Sequence, residues 1–247
     1  MHIVLPPSET KRDGGNSLPL DVSALSFPGL HPVRRKLVSA LVSLSRDEAA
    51  SLHALKLGPK GAPEVARNRV LKKSPTLPAL ERYTGVLYDA LDAPSLDGVA
   101  RARAGERVLI HSALFGLVRA DDAIPAYRLS HDSRLTDEPL KSLWAGKNAR
   151  VLAGIPGLIL DARSEGYVEL GPAPAGERSV FLRVVTRTEG GQVRALNHFN
   201  KKAKGEFTRA LVSEAADPES LDELIDVARA LGWRLEPGAP GELNLEV

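Results

Sequence analysis

The sequence predicts a mixed α/β domain: one mixed central sheet flanked by helices, with a helix-hairpin-helix excursion at about residues 45–73. Three observations predict it. Short, mostly apolar runs at His2–Leu5, Arg107–Leu114 and Gly157–Asp161 read as buried strands. Segments with apolar residues at helical spacing lie between them, without the strict strand–helix–strand alternation of an all-parallel fold. No linker or compositional break divides the 247 residues, 43% of which are hydrophobic, so residues 1–247 are expected to form a single domain.

In chain order, His2–Leu5 is the first buried strand and Pro6–Asn16 a polar loop; Leu18–Leu30 has no regular pattern. Pro32–Leu44 places Val33, Leu37, Ala40, Leu41 and Leu44 on one helical face. Ser45–Leu57 can begin at a Ser cap with Asp47 and Glu48 in its first turn. Pro63–Lys73 opens with Pro-Glu and ends in bases, as a helix should. After a break at Ser74–Pro78, Ala79–Leu91 carries Leu80, Tyr83, Leu87, Tyr88 and Leu91 on one helical face, with Gly85 as its weak point. Arg107–Leu114 is the best interior strand and leads into a loop over Phe115–Arg128. Leu140–Arg150, with Trp144, reads as helix. Gly157–Asp161, Tyr167–Leu170, Ser179–Arg187 and Gln192–Asn197 read as strands, the last two joined by the hairpin signal Thr188-Glu189-Gly190-Gly191. Lys201–Ser213 and Ser220–Leu231 read as helices, and Glu242–Val247 as an edge strand.

Composition removes several function classes. The absence of cysteine excludes disulfides, a thiolate nucleophile and Cys-ligated metal, and fits a cytoplasmic protein. No apolar run approaches the roughly 20 residues of a membrane span. Met1 leads straight into an apolar run, so no secretion signal is expected. The six histidines are scattered and none has helical metal spacing, so neither a metal site nor a cofactor is expected. His111 lies in a strand and reads as a satisfied core residue, whereas His198 borders a basic patch. Net charge is only +2, so any contact with a polyanion must come from local clustering of Lys and Arg.

Four segments offer such chemistry. In the turn Gly58-Pro59-Lys60-Gly61, between two helices, backbone N–H groups point outward, and Lys60, Arg67 and Arg69 add charge. This is the logic of a helix-hairpin-helix that grips nucleic-acid backbone; it is also the pattern of a plain surface turn. The loop after the interior strand brings Arg119, Asp122, Tyr127 and Arg128 within ten positions. Its arginines can fork onto a phosphate or carboxylate, or can pair with Asp122 to pin a long loop. Lys201, Lys202, Lys204 and Arg209 form a basic patch around Phe199–Arg209, suited to tracking phosphates or to a solvated helix face. On a helix, Lys201, Lys204 and Thr208 share one side and Lys202, Glu206 and Arg209 another. Ser8 and Lys11, in the loop after the first strand, can join Arg119, Asp122, Tyr127 and Arg128 in an anion pocket, with Ser164 and Glu165 beside them. No Walker or GxSxG motif occurs, and no catalytic residue is assigned.

Taken together, these segments resemble the YaaA family of peroxide-stress proteins (DUF328, UPF0246). The resemblance rests on Ile3–Lys11, Tyr83–Tyr88, His111–Arg119, Asp122, Tyr127–Leu129, Leu143–Trp144, Ser164–Tyr167 and the Lys-Lys-Ala-Lys-Gly core of Phe199–Arg209. The family's Ser-Pro-Ala-Lys-Thr appears as Pro6-Pro7-Ser8-Glu9-Thr10, its Ser-Gly-Leu-Tyr-Gly as Ser112-Ala113-Leu114-Phe115-Gly116, and a later Asn as Asp161. The resemblance implies a cytoplasmic protein of the hydrogen peroxide response that limits iron-mediated damage. It also implies an unusual mixed α/β fold with a basic cleft and binding of double-stranded DNA.

Two functions follow as expectations. In the first, Gly58, Lys60, Gly61, Arg67 and Arg69 at the hairpin and Lys201, Lys202, Lys204 and Arg209 along the cleft hold double-stranded DNA by nonspecific backbone contacts. In the second, an enzyme acts on a small phosphate- or carboxylate-bearing molecule such as a nucleotide, in the pocket around Arg119, Asp122 and Arg128. No membrane partner is expected, and the chain is expected to be a monomer.

Overall fold

The computed structural model describes residues 1–187, 193–195 and 200–247. The expected turn at Thr188–Gly191 and the residues His198 and Phe199 lie outside the described residues. The chain runs β1 (His2–Leu5), β2 (Ser17–Pro19), α1 (His31–Leu44), α2 (Glu48–Ala54), α3 (Ala62–Arg69), β3 (Pro75–Pro78), α4 (Ala79–Arg82), α5 (Val86–Leu91) and α6 (Gly98–Arg107). It continues through β4 (Val108–Ser112), β5 (Gly116–Arg119), β6 (Ala123–Ile124), α7 (Leu140–Gly154), β7 (Ile159–Asp161) and α8 (Glu165–Val168). Last come β8 (Ser179–Arg187), β9 (Val193–Ala195), α9 (Asn200–Ser213), α10 (Leu221–Ala230), β10 (Arg234–Pro237) and β11 (Glu242–Glu246).

The main sheet has the order β10-β11-β8-β7-β1-β4-β5, with β9 paired to β8. Strands β11, β8, β7, β1 and β4 are mutually parallel, so their C-terminal ends share one edge. β1 sits among them because Ile3, Val4 and Leu5 are buried on both faces of the sheet. In β11, Leu243 and Leu245 are buried while the intervening residues are half-buried. It lies between β10 and β8, so the expected edge strand is an interior one and β10 forms the edge. Strands β2, β3 and β6 form a small separate sheet.

Four further expectations are corrected. Residues Gly116–Arg119 are not a loop but the antiparallel partner of β4, with Ser112 opposite Gly116 and Leu109 opposite Arg119. Gly116 makes the tight return at φ 65°. The helix over Ala79–Leu91 is split into α4 and α5, because the N-terminal loop pairs with its middle: Arg12 N donates to Arg82 O and Thr84 N to Thr10 O. Gly85, at φ 95°, restarts the helix. Tyr167–Leu170 is not a strand; Ser164 O accepts from Tyr167 N and Val168 N to form α8, which buries Tyr167, and Leu170 is buried in the turn that follows. The helix expected from Ser45 starts at Asp47, whose side chain accepts from Ala50 N, while Ser45 Oγ donates to Leu41 O and closes α1. A short 3-10 turn, Pro59–Gly61, joins α2 to α3.

Helix α9 packs directly on α5, and Gly205 permits the approach: a Cβ there would lie 2.1 Å from Leu87 O. Gly146, exposed on α7, has nothing within 4 Å of such a Cβ. The same substitution is therefore expected to have opposite signs at the two positions. Gly205→Ala should destabilise by about 1–3 kcal/mol through overpacking against backbone. Gly146→Ala should stabilise by about 0.5–1 kcal/mol. Urea denaturation of both variants measures the difference; equal midpoints would contradict the packing.

Candidate functional site

The common C-terminal edge of the parallel strands is where open α/β sheets place ligands. Here it is closed by loop Pro6–Lys11 after β1, Ala162–Ser164 after β7, Ser130–His131 and the first turns of α5 and α9. Between them lies a cavity of about 580 Å³. Its polar wall carries Ser8, Thr10, Ser164 and His131, with Lys201 and Lys204 from α9. Tyr88 and Tyr167 supply apolar surface.

Below the Pro6–Lys11 loop lies a buried polar layer. Lys11 Nζ donates to Ser8 O at 2.8 Å and Glu9 O at 3.1 Å and stands 4.3 Å from the centre of the Tyr127 ring. Desolvation, aided by Arg128, pulls the Lys11 ammonium down to about 7. Tyr127 OH meets Ser112 Oγ at 2.6 Å and Tyr83 OH at 2.8 Å. Burial raises both phenols, so they stay neutral. These bonds fix the loop from beneath, and Tyr88 OH, donating to Pro6 O at 2.7 Å, fixes it from the side.

A second buried layer sits at the end of β7. Arg163, fully buried, donates to both oxygens of Asp161, to Gly171 O at 2.8 Å and to His111 Nδ1 at 2.6 Å. Burial first, then the adjacent guanidinium, drives the His111 imidazole well below its usual range, so it is neutral. It is the satisfied core histidine that its strand position predicts. Lys204 Nζ lies above this pair, 6% exposed as a residue. Its Nζ donates to Arg163 O at 3.3 Å and stands 5.2 Å from the centre of the Phe181 ring. Both Asp161 oxygens already accept from Arg163, and burial pulls Lys204 down to about 8.

The expected site residues separate into three groups. Ser8, Lys201 and Lys204 line the cavity, and Lys11, Tyr127 and Arg128 support the loop that forms its rim; Arg128 pairs with Glu9 at 2.7 Å. Arg119 and Asp122 do not join them. Because β5 runs antiparallel to β4, Arg119 returns to the opposite sheet edge, where it donates to Glu106 O at 3.1 Å and stacks 5.5 Å from the Phe27 ring centre. Asp122 accepts from Ser26 N and Oγ and from Arg119 N, as a loop clasp.

At the hairpin, Lys60 is exposed, with no hydrogen-bond or ion-pair partner among the described residues. Gly61 N donates to Gly58 O, and a Cβ on Gly61 would crowd Leu57, which explains that glycine by packing. Arg67 pairs with Asp13 and Glu64, and Arg69 donates to Ser45 O at 2.8 Å. On α9, Lys202 pairs with Glu206, and Arg209 donates to Leu91 O at 2.8 Å and Asp92 O at 2.9 Å. The two residues that sequence reasoning missed are Arg163 and His131. The first is signalled only by the Asp-Ala-Arg spacing after a strand, and the second by nothing local.

Comparison with known proteins agrees with the whole-chain resemblance. The model of a family described as peroxide stress protein YaaA matches residues 1–239. A UPF0246 protein of Corynebacterium efficiens is 42% identical over 241 residues, covering 96% of this chain and 95% of its own. A UPF0246 protein of Streptomyces coelicolor is 39% identical over 246 residues, covering 98% and 94%. One from Salinispora tropica is 30% identical over 223 residues, covering 87% and 82%.

Two outcomes test the buried layers. Arg163→Met should cost about 3–5 kcal/mol, because it strands the Asp161 carboxylate without its partner. The double change with Asp161→Asn should recover part of that loss in urea denaturation. Stability should also rise from about pH 7 to about pH 9.5. Across that window folded Lys11 (about 7) and Lys204 (about 8) lose protons that unfolded lysines keep to 10.5. The unfolded state therefore binds more protons, and the slope is positive. Lys204→Met should flatten part of the rise in urea midpoints measured against pH; an unchanged profile would contradict the assignment.

Proposed function

The chain belongs to the peroxide stress protein YaaA family, and on that premise we propose that it holds double-stranded DNA by its backbone, without reading sequence. In this role it works in the cytoplasm and limits iron-mediated oxidative damage during peroxide stress. One observation carries the DNA reading: a single segment, Arg128 to Arg134, ties the hairpin to the cavity. Asn68 of α3 accepts from Arg128 N and donates to Arg128 O, both at 2.8 Å. Lys56, at the end of the first hairpin helix, pairs with Asp132 at 2.7 Å, and Arg134 N donates to Ala54 O. The same segment carries Ser130 and His131 into the wall of the cavity that Lys201 also lines.

Lys60, on the turn that this segment fastens, and Lys201, on the cavity wall, are both exposed and without a carboxylate partner among the described residues. Cations of this kind can release phosphate counterions, which drives nonspecific binding. Arg67, Arg69, Lys202 and Arg209 already have intramolecular partners, so their share in binding is secondary. A second reading has its own support. A cavity of about 580 Å³ that holds a buried ammonium beside hydroxyls suits a nucleotide-sized anion better than a duplex.

The test is binding of a labelled duplex across a salt series. Affinity should fall steeply with salt, and Lys60→Glu/Lys201→Glu should weaken binding about tenfold or more while lowering the salt slope by about one unit per lost contact. Salt-insensitive binding, or a double variant indistinguishable from wild type, would overturn the DNA reading.

A further inference from the structure

Lys204 is an unusual group to find on a cavity wall. The residue is buried, at 6% exposure, and no carboxylate lies within ion-pair distance of its Nζ among the described residues. The nearest acids are occupied. Asp161 accepts through both oxygens from Arg163, and Glu165 and Glu242 both pair with Arg183. The only hydrogen bond of Nζ among the described residues is the long one to Arg163 O. The rest of its reach is toward the cavity, where Ser8, Ser164 and His131 converge. Lys11, the other buried lysine, differs in kind. Its Nζ is closed off by two carbonyls and two phenol rings and does not line the cavity.

We propose that Lys204 is an amine nucleophile that forms an imine with an aldehyde carrying a phosphate, bound in this cavity. The inference deepens the small-ligand reading and rests on it for the cavity's occupancy. The geometry supplies each requirement. The amine sits on a cavity wall with its electron pair free of a carboxylate clamp. Lys201, at the mouth, offers a charge for the phosphate, and the hydroxyls of Ser8 and Ser164 can hold its oxygens. His131 can pass protons.

The step balances without an oxidant. The neutral amine attacks the carbonyl carbon and forms a C–N bond. The carbonyl oxygen then leaves as water with both amine protons, and the imine nitrogen accepts one proton from solvent. At pH 7 about a tenth of an amine held at about 8 is already neutral, against a few parts in ten thousand for an ordinary lysine. Two sources share this chemistry: a free sugar-phosphate-type aldehyde, and the ring-opened sugar of an abasic site in DNA, which lies between two phosphates.

Reductive trapping tests it. The full chain is incubated with pyridoxal 5'-phosphate, with glyceraldehyde 3-phosphate, or with a duplex bearing one abasic site, each with sodium cyanoborohydride. The modified peptide is then mapped by mass spectrometry. The expected result is an adduct on Lys204, formed about tenfold faster than on the exposed Lys202 at pH 7. Capture by the small aldehydes alone assigns a metabolite source, and capture by the abasic duplex assigns a DNA source; either supports the proposal. Lys204→Arg should keep the charge and lose the adduct. Adducts confined to Lys11, Lys201, Lys202 or the N-terminal amine of wild type would overturn it, even if Lys204 variants fail to fold. Binding of pyridoxal 5'-phosphate without a Lys204 adduct would overturn the imine and leave the anion site standing. No binding and no adduct with any probe would remove both.

Discussion

The fold depends on buried guanidinium groups that satisfy the main chain of its irregular segments. Long loops cannot be buried with their carbonyls unpaired, since each such group costs on the order of 1–3 kcal/mol. Arg34, fully buried in α1, donates to Phe115 O, Ser26 O and Leu117 O, and so ties the irregular stretch before α1 to the β4–β5 turn. Arg82 collects Ile124 O, Arg12 O, Gly14 O and Pro75 O from three separate segments. Burial holds both guanidinium groups down to about 10, which still leaves them fully charged near neutral pH. A planar fork with five donors does this where an ammonium cannot.

These staples explain why a cavity survives at the sheet edge. Arg82 holds the N-terminal loop against residues 75 and 124, and that pairing splits one long helix into α4 and α5. The break leaves Gly85 facing Thr10 and Ser8, where a Cβ would meet their hydroxyl oxygens at 3.1 and 3.3 Å. The wall of the cavity is therefore a by-product of where the loop is fastened. Arg163 performs the same service on the other side, and it takes up both oxygens of Asp161 in doing so. A lysine reaching over that pair finds a carbonyl and an aromatic face but no carboxylate.

Much of the scaffold was legible from residues alone. The apolar runs of β1, β4, β7 and β8 are short and bounded by turn signals, and the helical stripe of α1 is clean, with Val33, Leu37 and Leu41 buried. Helix α6 was not legible, because it buries only Ala100 and Ala104, which carry little hydrophobic signal. Nor was β5: its return depends on Gly116 adopting φ 65°, and that choice sends Arg119 away from the pocket that linear proximity suggested. Composition does not distinguish a buried arginine from an exposed one, so nothing in the sequence marks Arg34, Arg82 and Arg163 as buried. Spacing puts Lys201, Lys204 and Thr208 on one side of α9; Lys204 and Thr208 are buried together, Lys201 in the first turn is exposed, and Lys202 lies beside Glu206 on the other side. Which face met a cavity depended on strands far away in the chain.

The cations of this protein divide by what already surrounds them, and that division is the most direct guide to function. Arg67, Arg101 and Arg183 each meet two carboxylates, and Arg34, Arg82 and Arg107 meet main-chain carbonyls. Their charge is satisfied within the fold, and a ligand would gain little from them. Lys60 and Lys201 face solvent without partners among the described residues, so their charge is not spent within the described fold. Lys204 has one long hydrogen bond, to Arg163 O, and no carboxylate partner among the described residues. Burying an ammonium without a carboxylate opposes folding, and an apolar residue of similar volume would fit beside Phe181 at lower cost. A side chain that weakens the fold yet faces open volume is best explained by what enters that volume. The buried lysine on the cavity wall and the unpaired lysines at the surface therefore pose two different chemical questions, the first about a small group that fits the cavity and the second about an anion met in solvent.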